Sequence, residues 1–165
     1  MTHKRYGSVE AGNVFITVNG FANELTQGLD IKPVRNQVLV TDIIEGLRLK
    51  GCYHMDKGYF YFRNVGKRIL IGGGRHKLGN AEETNVLNQT HDAATMLKEI
   101  LNDHLEGGID AEIKYHWSGI LGVGGDKKPI IKEMEKGIYT GVRMGGMGVA
   151  ICSVVGKQLA ELTQK

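Results

Sequence analysis

The apolar and polar positions divide the chain into strand-like, hairpin-like and helical stretches. Val14-Phe15-Ile16-Thr17-Val18 is a largely β-branched apolar run that ends at Asn19-Gly20. A run without polar alternation reads as a strand covered on both faces, the habit of a parallel sheet. Phe21 to Leu25 adds one or two helical turns. Val34 to Thr41 starts with partial alternation, turns apolar and predicts a second strand. Gly51 to Met55 and Tyr59 to Arg63 flank a turn at Lys57-Gly58. The latter alternates, with Tyr59, Tyr61 and Arg63 on one face and Phe60 and Phe62 on the other. Arg68 to Gly72 returns after the turn Asn64 to Lys67, so this middle part predicts antiparallel pairing.

From about Ala81 to Leu105 the period becomes helical, with Met96, Leu97, Ile100, Leu101 and Leu105 as the apolar stripe. Glu82 and Glu83 are expected near its start, where the helix dipole favours anions, and Gly107-Gly108 at its end. Ala111, Ile113, Tyr115 and Trp117 alternate with Glu112, Lys114 and His116 as a half-buried strand whose apolar face is core. Gly137 to Val142 is a short strand running through a glycine-rich loop into a last helix with Val149, Val154, Val155, Leu159 and Leu162. The two ends share a style that the middle lacks. This predicts a discontinuous layout, with residues 1–30 and 118–165 in one domain and 31–117 in another. The fold class is α+β, a mixed or antiparallel sheet with one long helix beside a strand-and-helix layer.

Composition narrows the chemistry. The chain has 165 residues, 41% of them hydrophobic and 24% charged, as expected of an ordered globular protein rather than a disordered one. Net charge is +3 with Lys and Arg dispersed, so no basic footprint for nucleic acid appears. The apolar runs are too short to span a bilayer, and no charged-then-apolar leader opens the sequence, so a cytoplasmic location is expected. Cys52 and Cys152 are too few for a disulfide framework or structural zinc, and Cys152 reads as a small buried hydrophobe. His3, His54, His76, His91, His104 and His116 show no metal-like spacing, so no metal site is expected.

The strongest local signal is the strand, glycine loop and helix at the C-terminal end. Gly145, Gly146 and Gly148 allow a planar or anionic ligand to approach the backbone, and the helix that follows aims unpaired N–H groups at it. The same glycines would equally permit close helix–sheet packing.

Taken in order, several strings resemble the D-amino-acid oxidase and glycine oxidase-like family of FAD-dependent oxidoreductases. They are Gln37 to Thr41, Gly58 to Arg63, Arg68 to Arg75, Trp117 to Gly122 with Asp126 and Pro129-Ile130, and Gly141 to Ala150. Thr17 to Gly20 matches the strand end that such proteins place near the dinucleotide. Lys132 departs from the pattern, since many relatives have glycine there. The resemblance implies FAD as cofactor and oxidation of the C–N bond of an amino acid or amine by hydride transfer to the flavin. It implies that the outer segments are the C-terminal part of a Rossmann-like FAD-binding domain and the middle a substrate-binding domain. It assigns Asn19, Gly20, Gly141, Gly145, Gly146, Met147 and Gly148 to the cofactor. Arg143, Tyr59 and Tyr61 are assigned to the substrate, Arg143 because a guanidinium grips a carboxylate bidentately. No residue is assigned as catalytic, and Arg63 matches a structural arginine.

No strand followed by GxGxxG and an acidic residue about 20 positions on occurs in the sequence. The expectation is therefore a C-terminal half, inactive alone, that needs an N-terminal FAD-binding half. Alternatives are a subunit of a split flavoenzyme whose partner chain supplies that half, or a standalone, non-catalytic binding domain. The first two predict exposed apolar residues around Val14 to Val18 and on the last helix.

Overall fold

The computed structural model describes residues 2–3, 7–104 and 111–164. Leu105 and Gly107-Gly108, expected at the end of the long helix, lie outside them. The chain forms two compact units, residues 1–32 with 121–165 and residues 33–120. The architecture is mixed α/β, with antiparallel sheets and few helices.

In the first unit, β1 (Thr2–His3) and β2 (Gly7–Ser8) make a small antiparallel pair. β3 (Val14–Ile16) pairs in parallel with β10 (Ile138–Val142), and β10 pairs antiparallel with β9 (Ile130–Glu135). Helix α2 (Gly148–Glu161) lies on β10. A Cβ at Gly141 would stand 3.0 Å from Leu159 and 3.2 Å from Val155, so this glycine sets how closely the helix approaches the strand. Ile16, Ala22, Leu29, Ile31 and Val142 form the core.

Three expectations change here. The first strand is not covered on both faces, for Phe15 is 45% exposed and Val18 42%. Cys152 is exposed because α2 buries only Val155 and Leu159. Strand β9 was not expected at all, since Lys132, Glu133 and Glu135 obscure its pattern and its definition comes from pairing with β10.

The second unit is a five-stranded sheet in the order β5 (Cys52–Met55), β6 (Phe60–Val65), β7 (Arg68–Gly73), β4 (Lys32–Thr41), β8 (Ile113–Val123). The β5–β6–β7 pairings are antiparallel, as the alternation indicated, and β7 also pairs antiparallel with β4. Helix α1 (His91–His104) buries Leu97 and Leu101 against Leu39, Phe60, Ile69 and Ile71. It begins ten residues later than its periodicity suggested. The Thr90 hydroxyl accepts the Ala93 N–H at 3.4 Å, the N-cap pattern, and residues 79–82 form a separate 3₁₀ turn.

Glu82 is therefore not a helix-start anion. It is buried in an ion pair with Arg35, whose Nε and Nη2 each donate to its carboxylate at 2.9 Å. The Gln37 amide donates to Glu82 at 3.0 Å and to the Thr90 hydroxyl at 2.8 Å. The Gln37 carbonyl accepts the Thr90 N–H at 3.0 Å and His116 Nε2–H at 2.9 Å. Every donor and acceptor of the Gln37 side chain is thus used, the condition for burying it. The expected faces of β8 hold at Ile113, which packs on the core, but not beyond it. Tyr115 and Trp117 are exposed, whereas His116 turns inward to Gln37, and burial holds its imidazole below the ordinary value.

Among the described residues, no helix is long and apolar enough to cross a membrane, and no group of three His, Cys, Asp or Glu could hold a metal ion.

Candidate functional site

In the first unit, β10 leads through Arg143 into the loop 144–147 and then α2. Gly145 and Gly146 have φ of +56° and +90°, the left-handed region that favours glycine. A Cβ at Gly145 would meet nothing within 4 Å, and one at Gly146 only the Leu121 side chain at 3.8 Å. These two glycines are therefore not there for helix–sheet packing. Their outer side is open. The loop is anchored from beneath, with Met144 N–H donating to Asn19 Oδ1 at 3.1 Å and Gly145 N–H to the Gly122 carbonyl at 3.0 Å. The α2 N-terminus carries no side-chain cap. Among the described residues, no acceptor takes the N–H groups of Gly146, Gly148 or Val149. Open glycine backbone with free donors at a helix N-terminus fits the electron-rich edge of a flavin ring.

The residues expected at the cofactor therefore divide. Gly145, Gly146, Met147 and Gly148 are together at the open loop, with Met147 exposed. Asn19, itself at φ +47°, spends its carbonyl on the Met144 backbone. Gly20 is buried, and Gly141 lies beneath α2.

Arg143 is buried at φ +62°. Its Nη1 donates to Asp30 Oδ2 and its Nη2 to Asp126 Oδ1, both at 2.7 Å, and Nε donates to the Lys128 carbonyl at 2.8 Å. Asp30 also accepts the Gly125 N–H at 2.8 Å. The guanidinium thus ties the segments at residues 30 and 125–128 to the start of the glycine loop. Asp30 was not anticipated as a partner, and an exposed aspartate 113 residues away leaves no sequence signal.

In the second unit, Tyr59 and Tyr61 do not act as one strand face. Tyr59 precedes β6 in a helical conformation and its ring lies 4.2 Å from that of His76. Tyr61 is in β6, packed over Gly72, and its hydroxyl accepts from Asn36 Nδ2 at 3.2 Å. Burial raises the Tyr61 pKa, so the phenol keeps its proton and remains a donor. His76 Nε2 is 2.7 Å from Asp56 Oδ2, a pairing the sequence reading did not foresee.

The first unit thus presents an open glycine loop with free backbone donors, and the second an antiparallel sheet. Residues 2–162 match the FAD dependent oxidoreductase family, and the chain belongs to it. The probable oxidoreductase OrdL of Rhizobium meliloti is 25% identical over 163 residues, covering 94% of this chain and 36% of that protein. Glycine oxidase from Geobacillus kaustophilus superposes with a TM-score of 0.78 at 19% identity, over 96% of this chain and 43% of that one. L-proline dehydrogenase from P. horikoshii gives 0.75 at 20% identity, over 95% and 44%. The chain therefore spans well under half the length of these relatives.

Proposed function

We propose that this chain is the C-terminal portion of an FAD-dependent oxidoreductase acting on the C–N bond of an amino acid or amine, and that it is inactive alone. A bound flavin would supply the hydride acceptor for the substrate carbon. In this reading the first unit is the C-terminal part of the FAD-binding domain, and the second is the substrate-binding domain. The open loop Gly145 to Gly148, with its free N–H groups, carries the reading. The N–H groups of Gly146, Gly148 and Val149 would hold the electron-rich edge of the ring with fixed donors that need no reorganisation. Glycine oxidase and L-proline dehydrogenase, both named for amino acids, support a small amino-acid substrate.

Dependence on a dinucleotide-binding half, on the same polypeptide or a partner chain, is supported by apolar side chains that a finished surface would cover. Phe15 is 45% exposed and Val18 42%, Val149 is 100% exposed and Val154 56%. A standalone binding domain would carry polar residues there. The test is gel filtration of the purified chain with excess FAD, read by visible absorbance. Flavin is expected to elute free from the chain alone and to co-elute once a dinucleotide-binding half is supplied. Retention by the chain alone would overturn the dependence. Failure of the assembled protein to retain flavin would sink the flavin reading.

Tyr59 and Tyr61 are proposed to contact substrate within the second unit. Arg143 meets a substrate carboxylate only by releasing Asp30 or Asp126, which are 60% and 58% exposed and so can swing into water. Arg143→Lys keeps the charge and loses the fork. In the assembled enzyme a raised KM with flavin retained is the expected outcome. Loss of flavin with KM unchanged would instead make Arg143 a support for the loop.

A further inference from the structure

The second unit holds a cavity of about 170 Å³ lined by Val34, Arg75, His76, Gly79, Asn80, Glu82 and Glu83. Arg75 is half-buried, yet among the described residues its guanidinium has no carboxylate or carbonyl acceptor. The acid that would most naturally neutralise it, Glu82, is already committed to Arg35 and Gln37. Arg75 therefore lines the cavity as a fork of donors without a matching anion.

The wall beside it is held in place. Gly74 (φ +75°) donates its N–H to the Tyr59 carbonyl at 2.8 Å, and the turn closes through Lys77 N–H to Gly74 O at 2.9 Å and Leu78 N–H to Arg75 O at 3.1 Å. His76 is fixed by Asp56 and lies against Tyr59 and the edge of Phe60, 5.6 Å between centroids. Asp56 and Lys57 have φ of +49° and +56°. Two consecutive non-glycine residues in that region are strained, and such strain persists where the surroundings demand the geometry. Asn80 also lines the cavity.

We propose that this cavity is a binding site for a small monocarboxylate, including the carboxylate of an amino acid, gripped by Arg75 with Asn80 beside it. The match is chemical: a planar guanidinium receives a carboxylate bidentately, and the cavity is small. Glu83 on the same wall limits the negative charge the site accepts, so a dicarboxylate or phosphate fits worse. The site lies within one unit and needs neither flavin nor the redox reading.

The test is titration of the full chain, without flavin, with acetate, glycine and methylamine, followed by backbone amide NMR shifts. Saturable shifts of the Arg75, His76 and Asn80 amides are expected with acetate and glycine and not with methylamine. Arg75→Gln is expected to weaken binding at least tenfold. Asn80→Asp, which supplies the missing anion from the protein itself, is expected to do the same while the circular dichroism spectrum is unchanged. No saturable shift with either carboxylate, equal binding by the Arg75→Gln chain, or binding of methylamine alone would overturn the proposal.

Discussion

Replacing Glu82 by alanine is expected to destabilise the chain by about 3–5 kcal/mol, the range for breaking a buried ion pair by removing one partner. The Arg35 guanidinium would stay buried beside only uncharged acceptors, the Ala81 carbonyl at 3.2 Å, the Val86 carbonyl at 3.5 Å and the Asn88 side chain. Gln37 would lose an acceptor for its amide, and Gln37 in turn holds Thr90 at the start of α1 and His116 on β8. One carboxylate thus supports a strand, a helix start and a second strand. Against a typical total of about 5–15 kcal/mol, the loss is large. Guanidinium unfolding should show a lowered midpoint with an unchanged slope. The double variant Arg35→Met/Glu82→Leu should recover most of the loss, because apolar replacements remove both charges together. A cost below about 1 kcal/mol for Glu82→Ala, or no recovery in the double variant, would contradict this role.

Gly73→Ala is expected to be the other severe change. The added Cβ would lie 2.0 Å from the Tyr59 carbonyl oxygen and 3.0 Å from Phe60 Cα, both backbone atoms with no flexible end to move. Gly73 is also at φ +107° and pairs with Phe60 across β6 and β7. The dihedral alone costs about 1–3 kcal/mol, and the clash adds displacement of the carbonyl that receives the Gly74 N–H. Arg75 and His76 follow at once, so acetate and glycine binding should be lost together with stability. Gly79→Ala is the control, with φ +60° and nothing within 4 Å of the added carbon. In stability it carries the dihedral cost alone, and since Gly79 lines the cavity it serves as a control for stability and not for binding. Equal denaturation midpoints for the two variants would show that the close approach at Gly73 is unimportant.

The hairpin of β6 and β7, the strand into α2 and the glycine loop between them were legible because each is specified by neighbours in sequence. Alternation gives a strand, a turn cluster reverses it, and glycines at an apolar strand's end mark a loop that needs positive φ. The ordered combination of these strings also carried the family resemblance. What periodicity could not supply was the identity of the covered face. Ile113 packs on the core as its face should, yet Tyr115 and Trp117 on the same face are exposed, while His116 between them turns to the buried Gln37 side chain. Helix α1 begins where Thr90 can cap it, well inside the stretch whose composition already looked helical.

The candidate sites divide in the same way. The sequence by itself determined that a glycine-bearing loop opens a helix at residues 145–148 and singled out Tyr59, Tyr61 and Arg143, but not Arg75. Only the tertiary structure decided which guanidinium is matched. Arg143 meets Asp30 across 113 residues and Asp126 across 17, and Arg35 meets Glu82 across 47, while Arg75 has no such acid among the described residues. A charge pair is set by where two backbones bring their side chains, and that placement follows from burying the apolar core around them. Local pattern fixes each element's own conformation. The partners of its charges are fixed only when the elements pack.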